Sequence, residues 1–264
     1  MWNGHLLDLD AYLERVGHRL VPGAERIGTL RALHRAHLAA FPFENADIAL
    51  GRPVPLDVGS LQDKMVRGRR GGYCYEQNLL FAAVLDRLGH RVTGLAARVL
   101  ALRRGGDVPR LHAVLLVDGE WLVDVGFGCG GLLEPLRLAP GRPVAQGDWT
   151  FRLDRTDVWT LRSLQGDGWA PLYDFTEDPR TPADYAVFHH YLSTHPKSVF
   201  TGRLVVQRTD DHARYALTDR EFTVTTADGT TRRRTLADGE LSATLREVFG
   251  LEPPVEDDRW WRDA

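Results

Sequence analysis

Residues 69–78 read RRGGYCYEQN, and the fold turns on what the cysteine in this stretch begins. Beyond it Leu80, Phe81, Val84, Leu85 and Leu88 recur at helical spacing, which predicts a helix from Cys74 to Leu88 stopped by Gly89. Cys74 then stands at a helix N-terminus, where unpaired N–H groups and the macrodipole favour a negative charge. Gly71 and Gly72 are expected to let the backbone turn tightly and to leave room for a substrate carbonyl beside the sulfur, with the first helical N–H groups suited to an oxyanion. A bare intracellular cysteine is more often a small buried hydrophobe. A nucleophile therefore needs a base, and the base needs something to orient it.

Residues 110–128, RLHAVLLVDGEWLVDVGFG, supply His112 and Asp124 on two strands of a hairpin. A two-residue turn at Asp118-Gly119 would set His112 opposite Val125 and turn Asp124 to the other face. A three-residue loop, Val117 to Gly119, with Gly119 left-handed in a type I turn plus bulge, pairs His112 directly with Asp124. Glycine at the third loop position favours this second register. Asp124 then fixes the tautomer of His112 while the other ring nitrogen faces the thiol. Singly, a strand histidine or a buried aspartate is more often structural; together, in the order Cys, His, Asp, the three point to nucleophilic catalysis.

The remaining chain reads as α+β. Leu9, Tyr12, Leu13 and Val16 form a helical stripe with Asp8 as N-cap, and the same period recurs through Leu30, Leu33, His37, Leu38 and Phe41. FPFENADIALGRPVPLD is loop-like, and Ser60 is expected to cap a short helix running through Asp63 to Val66, broken at Gly68. After Gly89 the period changes to strand-length segments rich in aliphatic and β-branched residues, at RVTGLAARVLAL, LHAVLLV, EWLVDVGFG, WTFRLDR, VWTLRSL and GWAPLYDF, with Asp-Gly turns at 118–119 and 167–168. Strands in succession predict an antiparallel sheet or barrel. Thr181-Pro182 opens a helix carrying Tyr185, Phe188 and Leu192, and further strands end in a helix over 241–249.

The 264 residues, 43% hydrophobic, suffice for a sizeable core, and a net charge of −3 leaves no general basic field for nucleic acid or an anionic membrane. Arg69-Arg70 and Arg232-Arg233-Arg234 read as solvated faces. With no leader and no long apolar run, the chain is expected to be cytoplasmic, and its two cysteines, Cys74 and Cys129, to be thiols.

RRGGYCYEQN resembles the R-G-G-x-C-x-E-x-N signature of the arylamine N-acetyltransferases. FPFENADIALG is similar to that family's P-F-E-N segment, LHAVLLV to its histidine strand, WLVDVGFG to its D-V-G-F-G block and YLSTHPKSVF to its S-T-H-P-x-S-x-F block. The resemblance implies a helical bundle (1–90), a β-barrel (91–200) and an α/β lid (201–264), with a cysteine-protease-like catalytic core at the first junction. It implies Cys74 as acyl-accepting nucleophile, His112 as base and Asp124 as orienting acid. It also implies Phe43, Phe127 and Phe200 as an apolar acceptor pocket, although each is equally readable as core. GFGCGG, with Gly126, Gly128 and Gly130, would border the coenzyme A entrance. Acetyl-CoA is then a co-substrate, no cofactor is permanently bound, and the partners are acetyl-CoA and a small aromatic amine, with self-association left open. The chain departs from the family pattern at Ala46, where leucine is common, and at His189-His190, where tryptophan is often found; both bear on the acceptor rather than the chemistry.

Rival readings are an amide synthase closing a carrier-bound acyl chain onto an aromatic amine, and a cysteine hydrolase of the papain or transglutaminase type. A binding module leaves the intact triad unexplained. Gly126, Gly128 and Gly131 match G-x-G-x-x-G, but the prolines of LLEPLRLAPGRPV leave no helix for a pyrophosphate. His34 and His37 lack a third metal ligand nearby, Cys129 is a conceivable disulfide partner for Cys74, and Trp260 and Trp261 are expected to dock.

Overall fold

The computed structural model describes residues 2–102 and 107–254; Trp260 and Trp261 lie outside them. The first ninety residues are mainly helical, as the periodicity predicts. Helix α1 (Leu9–Val16) is capped by Asp8, whose carboxylate accepts the Ala11 N–H at 3.0 Å. Helix α2 (Arg26–Ala40) leads into a two-residue strand β1 (Phe43–Glu44) and a single turn α3 (Ala46–Ala49). Ser60 does not cap the next helix. Asp57 does, its carboxylate accepting both the N–H (2.9 Å) and the O–H (2.7 Å) of Ser60, so that α4 (Val58–Leu61) starts earlier and widens into a π-type turn over Gln62–Arg67.

Helix α5 (Cys74–Arg87) is the axis of the first core, buried at every position from Cys74 to Leu85. Leu80, Phe81, Val84 and Leu85 are each fully buried there, and each contributes about 1.5–3 kcal/mol by leaving water. One side of the helix packs against the β-region.

That region is an eight-stranded antiparallel sheet, curled into a nearly closed barrel, built from β2 (Val92–Val99), β3 (His112–Val117), β4 (Trp121–Val123), β5 (Leu136–Arg137), β6 (Val144–Gln146), β7 (Trp149–Arg155), β8 (Trp159–Gln165) and β9 (Gly168–Phe175). The spatial order is β5-β4-β3-β2-β9-β8-β7-β6. Strand β3 is buried on both faces: Val114 and Leu116 enter the barrel core, while Ala113, Leu115 and Val117 join the core of α5. This is why LHAVLLV reads as a continuous apolar run. The turn before β9 is made by Gly166 and Asp167, since Gln165 pairs with Gly168; Gly166 supplies the positive φ of 56°.

The hairpin register corrects the expectation. Val117 pairs with Trp121 and Leu115 with Val123, so the three-residue loop is Asp118–Glu120, one residue later than expected. The cause lies on the other side of β3. Asp118 N–H donates to Arg91 O at 2.8 Å and its Oδ1 accepts the Arg91 N–H at 2.9 Å, which extends the β2–β3 pairing through Asp118 and keeps Val117 in the strand. Both Asp118 (φ 54°) and Gly119 (φ 75°) are left-handed, so the turn is not type I. The register moves by two residues, and an even shift leaves every side chain on its face. His112 and Asp124 remain on one side of the hairpin, diagonal rather than opposite.

Helix α6 (Pro182–Thr194) opens with a reciprocal cap between Thr181 and Asp184. The second sheet follows, of order β1-β10-β11-β12-β13, from β10 (Val205–Thr209), β11 (Ala213–Thr218), β12 (Glu221–Thr226) and β13 (Thr231–Thr235). Helix α7 (Glu240–Phe249) buries Leu241, Leu245 and Phe249 against Leu204, Val206 and Leu217. Among the described residues no helix is long and apolar enough to cross a membrane.

Candidate active site

Cys74 is the first residue of α5, after Tyr73 in an extended conformation. Glu76, three residues past Tyr73, reaches back so that Oε2 accepts the Tyr73 N–H at 3.1 Å. The two preceding glycines serve the protein's own backbone rather than a substrate carbonyl. A Cβ on Gly71 would lie 2.0 Å from the carbonyl oxygen of Pro42, and one on Gly72 would lie 2.7 Å from Cβ of Glu76. Removing both side chains lets 71–72 lie against 42–44, where Glu44 N–H donates to Gly72 O at 3.1 Å and Gly72 N–H to Pro42 O at 3.3 Å.

Behind this joint lies a buried cluster of charge. Lys64 Nζ is 2.8 Å from Glu76 Oε1 and 2.8 Å from Asp47 Oδ2, and Arg70 NH2 is 2.7 Å from Glu44 Oε1. Burial raises the Glu44 and Asp47 carboxyls, but Lys64 and Arg70 outweigh it and hold both below their ordinary values. For Glu76 burial prevails and its carboxyl is raised. These residues fix the approach of the chain to Cys74.

His112 Nε2 donates to Asp124 Oδ2 at 2.7 Å, with both side chains buried. The other side of the imidazole interacts with Cys74. Burial pushes the imidazole pKa down, yet the Asp124 charge and hydrogen bond, and the Cys74 sulfur, raise it from 6.5 to about 10. Burial likewise raises the Asp124 carboxyl, and His112, Asn78 and the Gly126 N–H more than reverse that, leaving it below 3.8. The pair is an imidazolium–carboxylate at neutral pH. Gly126 presses against the cysteine itself, since a Cβ there would lie 2.8 Å from Cα of Cys74.

A cleft of about 690 Å³ opens over this group, with Cys74 and His112 in its wall. Phe43, Phe127 and Phe200 all line it. Phe43 and Phe200 have ring centroids 5.9 Å apart, and Phe127 lies edge-on to His112 at 5.3 Å. Asp124 stands behind His112, away from the cleft. Of the loop glycines only Gly126 borders the cleft; Gly128 (φ 81°) packs on Gln207 and Phe43, and Gly130 (φ 90°) packs on Arg214. Cys129 also borders it, but its thiol donates to Tyr215 O at 3.1 Å and burial pushes its pKa up to about 12.

Of the two departures from the family pattern, Ala46 lies in the core under α7, away from the cleft. His189 meets the hydroxyl of Tyr73, the residue before the cysteine. His34 and His37 are core residues: His34 Nδ1 bonds Leu133 O at 2.9 Å, and His37 sits between Tyr12 OH (2.9 Å) and Gln77 Oε1 (2.7 Å). Gln77 passes this chain on, its Nε2 donating to Pro42 O at 3.0 Å and Gly72 O at 3.1 Å. Sequence reasoning gave no role to Asn78, Gln77 or Lys64. For the first two the available signal was that the cysteine helix carries buried amides where its apolar stripe predicts none.

Residues 26–257 match the N-acetyltransferase family model, so the fold and cleft are those of an acetyltransferase. The chain is 40% identical to the arylamine N-acetyltransferase of Mycolicibacterium smegmatis over 93% of its own length and 92% of the relative's. Its fold is similar to the Nocardia farcinica arylamine N-acetyltransferase, with a TM-score of 0.89 and 44% identity over 96% of this chain and 92% of that one. It is also similar to the Mycobacterium marinum arylamine N-acetyltransferase in complex with CoA, with a TM-score of 0.86 and 37% identity over 92% and 93% of the two chains. The chain belongs to the arylamine N-acetyltransferase family.

Proposed function

We propose that the protein transfers an acetyl group from acetyl-CoA to an arylamine or hydrazine through an acyl-cysteine on Cys74. The observation that carries this reading is the buried His112–Asp124 pair at 2.7 Å, with its imidazole beside Cys74 in the wall of an aromatic-lined cleft. The thiol proton of Cys74 already resides on His112 in this reading, as a thiolate–imidazolium pair whose positive charge Asp124 balances. The sulfur attacks the thioester carbonyl, the carbon–sulfur bond to CoA breaks, and His112 returns the proton to the leaving thiolate. An arylamine, weakly basic and neutral near pH 7, then attacks the acyl-cysteine; His112 accepts a proton from its nitrogen and Cys74 leaves. Exchange of one thioester for another is nearly balanced in energy. Phe43, Phe127 and Phe200 would hold the aromatic acceptor, and the loop carrying Gly126, Gly128 and Gly130 would border the entering CoA. In this reading the enzyme works in the cytoplasm on xenobiotic amines, and segments 1–90, 91–200 and 201–264 act as bundle, barrel and lid.

Mass spectrometry of the protein mixed with acetyl-CoA tests the reading. One acetyl group is expected on Cys74, lost on addition of an arylamine, with ping-pong kinetics and no transfer by Cys74→Ala. Transfer by that variant at the parental rate would exclude the acyl-cysteine.

A further inference from the structure

We propose that Asn78 is the positioning residue of this site, holding Asp124, and through it His112, in register with Cys74. The inference rests on the triad reading above. Asn78 lies one helical turn after Cys74 on the same side of α5, and it is fully buried. Its Nδ2 donates to Ala113 O at 2.8 Å and to Asp124 Oδ1 at 3.1 Å, while its Oδ1 accepts the Val125 N–H at 3.1 Å. Ala113 follows His112 and Val125 follows Asp124. One amide on the cysteine helix thus grips the hairpin immediately beside both other members of the triad.

The same bonds aim the carboxylate. Asp124 Oδ1 receives the Asn78 amide and the Gly126 N–H at 3.0 Å, which leaves Oδ2 for His112. With one oxygen held by two donors the carboxylate plane cannot rotate, and the imidazole N–H has a single place to go. A role confined to tying helix to strand would use the Ala113 and Val125 bonds alone; the bond to Asp124 is what a tie does not need. Gln77 and Glu76, its neighbours, point instead to the 41–44 and Tyr73 backbone.

A double-mutant cycle of Asn78→Leu with Asp124→Asn tests this, read as single-turnover acetylation of Cys74 and as the NMR titration of His112. Loss of a hydrogen bond to a charged group predicts that Asn78→Leu slows acetylation about 10- to 100-fold in the parent. In the Asp124→Asn background, with no carboxylate left to aim, the same change should cost less than about threefold. The His112 midpoint should fall in Asn78→Leu. Equal losses in both backgrounds, a parental rate, or an unmoved midpoint would overturn the proposal. Should Asn78→Leu fail to fold, Asn78→Asp keeps the acceptor for Val125 and sets an oxygen against Asp124; the two carboxylates must then share a proton, giving the acetylation rate a new ionisation. A parental pH profile in that variant would overturn the proposal equally. Cys74→Ala separates the two readings: if it is inactive while Asn78→Leu acts at the parental rate, only the positioning role falls.

Discussion

Three of the buried histidines in this chain take opposite electrostatic courses, and one carboxylate makes most of the difference. Burial drives His34 down to about 4 and His37 to about 3, whereas His112, as deeply buried, is raised to about 10 because Asp124 faces it. Asp124→Asn should therefore drop the His112 pKa below 6.5 toward the range of the other two, which NMR titration would show. The variant's carbonyl would be drawn to the Asn78 and Gly126 donors, turning its NH₂ toward Nε2 and placing the imidazole proton on the nitrogen facing Cys74. Activity should fall about 10³- to 10⁴-fold by this loss of tautomer. The linkage has a definite sign. A proton held more tightly in the folded chain gives stability that is complete below pH 6.5 and is lost as pH rises through about 10; the depressed Asp124 carboxyl gives stability above pH 3.8 that is lost in acid through its lower folded value. The meeting of Cys74, His112 and Asp124 was legible in sequence because each stands at a recognisable place: a helix start and two sides of one hairpin. Asn78 was not, because a buried asparagine declares no partner until the partners are in space.

For single elements, pattern fixed type and neighbour decided detail. Length and aliphatic, β-branched content foretold β3 and β4, but the loop between them moved by one residue because Arg91, just before the strand on the far side, pairs with Asp118. Local turn rules do not see that strand. The shift was harmless to the site only because it was even. The meeting of α5 with the hairpin is less forgiving, since Gly126 lies where any Cβ would push on Cys74 and Asn78 together. Gly126→Ala should cost about 1–3 kcal/mol in urea unfolding, and kcat should drop further than that loss of folded protein explains, because the cysteine end of the helix must retreat from His112. Turnover proportional to the folded fraction would show that the close contact serves packing alone.

Across the whole molecule, the cluster of Lys64, Arg70, Glu44, Asp47 and Glu76 joins segments remote in sequence at the back of the cysteine loop. Lys64 stands among three carboxylates, at 3.6 Å from Glu44 and 2.8 Å from both others. Lys64→Met should destabilise the fold by about 3–5 kcal/mol, because it leaves buried carboxylates uncompensated, with the loss measured in chemical denaturation and diminished at acid pH where they take up protons. Unchanged stability would mean that water reaches the cluster. Composition and motif order made the α+β succession and the cleft-lining phenylalanines readable, whereas this cluster was hidden because its charges read as ordinary solvated residues of loops and helices. The two-residue strand β1 has a different consequence. Phe43 and Glu44 pair with Gln207 and Val206 of β10, and Phe43 also bridges to Gly72. During synthesis the loop that seats the cysteine must wait for a strand the ribosome delivers much later, so the Cys74 end of α5 is among the last parts of the nascent chain to set.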